Sequence, residues 1–159
     1  MGLSDELRLL VSLTGAGEVD LEDEHARLDL YRRSVQLSAA REHLLAGLKL
    51  EPVQSLAAAV VVEAFPCIPP ADRVAWVRNL KPEVRDFPSK RIRELEILEG
   101  IADGNPNVSN LDVDDWSDWL QRRVIEAADD ADILQQLADA GRTKAIRARA
   151  RERLGPAAG

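Results

Sequence analysis

Apolar residues in this chain recur every three or four positions almost from end to end, and no stretch keeps the strict alternation of a half-buried strand. Prolines and glycines cut that pattern into short pieces, so the fold must be assembled from many short helices joined by tight turns. The spacing predicts seven to nine of them. One runs from Asp5 to Leu13 behind a Ser4 cap and stops at Gly15 and Gly17. A second follows from about Leu21, with Leu28, Tyr31 and Val35 on one face, and Ser38 is read as the cap of a third through Leu44, Leu45 and Leu48. Pro52 fits the first turn of the next, whose stripe is Val53, Leu56, Ala57, Val60, Val61 and Ala64. Asp72 to Leu80 is short and ends before Pro82, and Pro88 opens a helix with Ile92, Leu95, Leu98 and Ile101 inward.

Past the loop Gly104-Asn105-Pro106-Asn107, Trp116, Leu120 and Val124 form a stripe ending near Asp129. Asp130 caps a helix carrying Ile133, Leu134 and Leu137 that Gly141 terminates, and Thr143 caps a last one carrying Ile146, Ala150 and Leu154. These elements predict a single all-α domain over 1–154. A candidate subdivision lies near 104–110, and 155–159 is a short flexible tail.

At 159 residues and 45% hydrophobic content, such a chain buries a core without staples, and its one cysteine, Cys67, rules out a disulfide framework or a Cys-rich zinc module. The N-terminal Ser4-Asp5-Glu6 is acidic where a leader is basic, and no apolar run approaches the length of a membrane span, so a soluble cytoplasmic chain without membrane association is expected.

Self-similarity accompanies the helices. A shift of about 89 residues lays Leu44, Leu45, Leu48, Leu56, Ala57, Val61 and Glu63 over Ile133, Leu134, Leu137, Ala145, Ile146, Ala150 and Glu152. A looser copy runs from Val77 and Leu80 across the Pro82 to Pro88 turn into Ile92 and Leu95. On these residues the chain resembles HEAT-like α-helical repeat proteins. The leucine helix Ile133-Leu134-Gln135-Gln136-Leu137, the turn Gly141-Arg142-Thr143 and the Arg/Ala-rich helix to Leu154 carry the likeness best. The resemblance implies a right-handed array of short antiparallel helical hairpins, an α-solenoid, with an irregular helical bundle as the alternative. It also implies a scaffold with a binding groove, no chemistry and no cofactor.

The net charge of −7, from 28 acids and 21 bases, argues against a general binder of nucleic acid or anionic membrane. That charge is segregated. Eight acids and two bases lie in residues 1–30, whereas Arg142, Lys144, Arg147, Arg149, Arg151 and Arg153 face one acid, Glu152, in the last helix. This basic helix is a candidate partner surface: it can track phosphates, meet an acidic protein, or simply be the polar outer face of a terminal cap. Trp119, leading towards Arg123, is the tryptophan expected to reach a groove, while Trp116 shares the inward face of Leu120 and Val124. A protein or peptide partner is the leading expectation and nucleic acid the second.

Catalytic and metal patterns are weak. Asp112, Asp114, Asp115 and Asp118 resemble the aspartate-rich magnesium motif of prenyl-diphosphate enzymes, but acids in the first turn of a helix already serve its dipole and free N–H groups, and a metal is not expected. His25 and His43 have no metal-ligand spacing, Gly15-Ala16-Gly17 is not a phosphate loop, and Ser34, Ser38 and Thr143 have no nucleophile elbow around them.

Overall fold

The computed structural model describes residues 1–104 and 112–156. Among them there are nine α-helices, several single 3₁₀ turns and no strand. The chain divides into two compact units, Met1–Ile92 and Arg93–Gly159. The candidate subdivision near 104–110 lies, from Asn105 on, outside the described residues, as do the last three residues of the tail.

The first unit holds α1 (Leu3–Thr14), α2 (Glu24–Val35), α3 (Arg41–Leu50), α4 (Gln54–Ala64), α5 (Arg73–Arg78) and the first part of α6 (Asp86–Ala102). Its core is Leu7 and Leu10 of α1, Leu30 and Tyr31 of α2, Leu44 and Leu48 of α3, and Ala57, Val60, Val61 and Ala64 of α4, closed by Phe65, Trp76 and Leu80. Leu44, Leu48, Val60 and Val61 expose none of their surface, and burying each such side chain is worth about 1.5–3 kcal/mol before chain entropy is counted.

Several helix starts differ from the expectation, each for a local reason. The α1 helix begins two residues early because the Asp5 carboxylate reaches back to the Gly2 N–H at 3.1 Å, so Ser4 is not the cap. Gly15 then closes it in the left-handed conformation, φ 65°. Ser38 caps nothing: a 3₁₀ turn over Ser38–Ala40 runs directly into α3. Pro52 stands outside α4, where Glu51 Oε1 accepts from the Val53 N–H and the Gln54 amide turns back to the Glu51 carbonyl at 2.7 Å. A 3₁₀ turn over Pro70–Asp72 shortens α5 to six residues, and α6 begins at Asp86 with Pro88 inside its first turn, where no N–H is needed.

The second unit holds the rest of α6, then α7 (Asp118–Ala127), α8 (Ala131–Ala140) and α9 (Lys144–Leu154). Here the expected caps Asp130 and Thr143 are in place, and α7 is capped by Ser117, which the spacing does not single out. Ser117 Oγ accepts from Leu120 N at 3.2 Å, Asp130 from Asp132 N at 2.8 Å, and Thr143 Oγ1 from Ile146 N at 3.1 Å. Each such cap contributes about 1 kcal/mol. Leu120, Val124 and Ile125 of α7, Ile133, Leu134 and Leu137 of α8, and Ile146 and Ala150 of α9 form the core with Val113 and Trp116, and Ile97, Leu98 and Ile101 of α6 pack on it. Among the described residues no helix is long and apolar enough to cross a membrane.

Candidate interaction surface

The basic helix α9 is held against its own unit by most of its cations. Arg153 donates from Nε to the Ile125 carbonyl at 3.0 Å and from its second nitrogen to the Ala128 carbonyl at 2.8 Å. Those are carbonyls at the C-terminal end of α7, where the helix dipole favours a cation. Arg149 bridges Glu126 of α7 at 3.0 Å and Glu152 of its own helix at 3.0 Å. The Glu126 carboxyl is held below the ordinary range by its hydrogen bonds from Arg149 and by that charge, and the guanidinium is raised in return. Arg147 donates to the Gly141 carbonyl at 2.7 Å, and Arg142 pairs with Asp118 at 2.9 Å. Lys144 and Arg151 are exposed and make no ion pair among the described residues.

Arg142 pairs with Asp118 at the start of α7, Arg149 with Glu126 near its end and Arg153 with the Ala128 carbonyl just past it, so α7 and α9 run in the same general direction with α8 as the return. A groove of about 410 Å³ lies between them. Its floor is Ala145, Ile125 and Ile146, and its rims carry Arg122, Arg123 and Glu126 from α7 and Arg149 from α9. The groove exists because Ala145 is small: one turn on, Arg149 and Glu126 span the same gap. The guanidinium of Arg123 lies 5.6 Å above the Trp119 ring, and Trp119 rests half-buried on the core of the unit, away from the groove lining. Thus the candidates divide: Arg123 and Arg149 border the groove, Trp119 supports Arg123, and Arg142, Arg147 and Arg153 staple turns and helix ends.

Of the four aspartates, Asp112 is a local cap and Asp118 an ion-pair partner. Asp112 accepts from Asp114 N at 2.9 Å, and Asp118 opens α7 and holds Arg142. Among the described residues no three His, Cys, Asp or Glu side chains are arranged to hold a metal ion.

Two polar clusters escape a reading of the sequence. In the first unit, buried Glu51 takes two hydrogen bonds from Arg27, at 2.9 and 3.0 Å, and one from the Tyr31 hydroxyl at 2.8 Å. Arg27 also donates to the Leu21 and Glu22 carbonyls, so its charge is fully used. Beside it, His43 Nδ1 of α3 lies 2.8 Å from buried Glu6 of α1. In the second unit, buried Gln121 donates to the Val113 carbonyl at 2.8 Å and accepts from Arg142 N at 2.9 Å, tying the turn before α9 to the turn before α7.

Comparison of the chain with protein-family profiles, with curated proteins and with solved structures finds no match.

Proposed function

We propose that the chain is a non-catalytic protein-interaction module, an adaptor of HEAT-like helical hairpins that receives a protein or peptide partner along the second unit. The observation that carries this reading is the α7–α9 groove, an apolar floor between charged rims, which is the form of a surface that takes a side chain from a partner.

The repeat half of the reading is supported by the burial pattern. The consecutive helices α3 and α4 have 10 and 11 residues, and so do α8 and α9. Under the shift of about 89 residues, Leu44, Leu48, Ala57 and Val61 fall on Ile133, Leu137, Ile146 and Ala150, and all eight are buried. Matched burial is what the two pairs share: α8 packs chiefly on α9, whereas α3 packs chiefly on α1 and α4 on α2.

A photo-crosslinking residue in place of Ala145, in the full chain and its native extract, tests the reading. A partner captured there should bind the purified chain and lose that binding in Ala145→Trp, which fills the groove. Reconstituted binding indifferent to Ala145→Trp would show that the groove is not the surface in use.

A further inference from the structure

We propose that the α7–α9 groove selects an acidic, amphipathic segment, one large apolar side chain flanked by aspartate or glutamate. This rests on reading the groove as an interaction surface and adds the chemistry of what enters it.

The argument starts from which charges on the rim are already neutralised. Glu126, the one acid of the rim, is engaged by Arg149 through both carboxylate oxygens, at 3.0 and 3.4 Å. That pair closes the end of the groove and leaves little net charge there. The remaining rim cations are Arg122 and Arg123, consecutive and exposed on α7. Neither meets a carboxylate among the described residues. Arg122 makes no ion pair, and Arg123 is held over the Trp119 ring, an arrangement that fixes its position and leaves its charge in place. The groove therefore presents two uncompensated guanidinium groups beside an apolar floor. A partner that brought a basic or neutral flank would leave them desolvated and unpaired, whereas one that brought carboxylates would meet them with charge-assisted hydrogen bonds.

Size restricts the apolar part. The groove holds about 410 Å³, near the small end of the roughly 300–1,000 Å³ range of ligand pockets. Ile125 and Ile146 are 1% and 2% exposed, so the floor open to a partner is mainly Ala145 and the aliphatic stems of the arginines. One leucine- or phenylalanine-sized anchor fits there, not a run of them. A nucleic acid meets this surface less well, because Arg142, Arg147, Arg149 and Arg153 are spent on carboxylates and carbonyls of their own unit and no extended line of free cations remains to track a backbone.

Selection of short random peptides against the full chain, with Ala145→Trp as the counter-target, reads the chemistry directly. Peptides that need the open groove are expected to share one large apolar residue flanked by acids. Their affinity should fall by about tenfold or more in Arg122→Glu/Arg123→Glu, and fall as salt rises. Groove-dependent peptides without acids, or with affinity unchanged by that double reversal, would overturn the proposed chemistry while the groove remained an interaction surface. Recovery of no groove-dependent peptide would overturn both readings. Tight binding of a single-stranded oligonucleotide that is lost in the double reversal would assign the two arginines to phosphate instead.

Discussion

Glu51 takes both forks of Arg27 at 2.9 and 3.0 Å while keeping only 1% of its own surface exposed, so the charge in the turn before α4 is answered by Arg27 and Tyr31 of α2 together with the Val53 N–H of its own turn. Breaking a buried pair leaves the survivor unpaired in a medium that cannot solvate it. Glu51→Ala is expected to lower the unfolding free energy by about 3–5 kcal/mol. An apolar replacement of the whole cluster, Arg27→Met, Tyr31→Phe and Glu51→Leu together, should recover most of that loss, because no buried charge is left behind. Denaturant unfolding checks both variants. A triple variant no more stable than Glu51→Ala would mean that the cluster is worth more than the absence of an orphaned charge.

The same cluster sets a pH dependence. Burial pushes the Glu51 carboxyl up, but the hydrogen bonds from Arg27, Tyr31 and Val53 outweigh it and hold the folded-state pKa below the ordinary value. A carboxylate with a depressed pKa stabilises the fold fully above its unfolded value of about 4.3 and loses that contribution as pH falls through the folded value. The stability difference between the native chain and Glu51→Gln should therefore be constant above about pH 5 and shrink below about pH 4. A difference independent of pH over that range would contradict the arrangement.

How much of this was legible depended on the range of the interaction. Asp130, Gly141 and Thr143 could be read as caps because a cap is a contract between residues two or three apart. Ser4 and Ser38 misled for the same reason, since the competing partner was equally local: the Asp5 side chain in one case and a 3₁₀ turn in the other. Arg27 and Glu51 are 24 positions apart, beyond any local rule. One signal was present. Arg27 lies three and four residues before Leu30 and Tyr31, a cation on the stripe that becomes core, and such a residue demands a buried partner. The cationic character of α9 was also plain, but not that its arginines answer carbonyls and acids of α7, because those contacts exist only once the two helices pack.

Gly141 and Gly15 end helices for different reasons, and substitution separates them. A Cβ at Gly141 would lie 2.6 Å from the Leu137 carbonyl oxygen of α8 and 2.7 Å from Ile146 Cγ2 of α9. Gly15 has open space around it but a left-handed backbone, φ 65°. Gly141→Ala is expected to cost about 1–3 kcal/mol through overpacking, and Gly15→Ala about 1–2 kcal/mol through backbone strain. Asparagine, which tolerates the left-handed region, should be milder than alanine at Gly15 and worse at Gly141. Thermal unfolding of the four variants decides it, and the same order at both sites would refute the distinction.

Within the basic helix, Arg153 and Arg151 carry equal charge on opposite terms. Arg153 satisfies the Ile125 and Ala128 carbonyls at the end of α7, groups that have no partner within the helix, whereas Arg151 is exposed and unpaired among the described residues. Partial exposure of Arg153 lets water replace some of what is lost, so Arg153→Ala is expected to cost about 1 kcal/mol rather than the full value of two charge-assisted bonds. Arg151→Ala should stay within about 0.5 kcal/mol of the native chain. Arg153→Lys helps to separate charge from geometry: a single ammonium can answer one carbonyl but not both in the fixed fork of a guanidinium, so it should fall between alanine and arginine. Equal stability of the two alanine variants would mean that α9 is held by Ile146 and Ala150 alone, and that its arginines are a solvated face rather than staples.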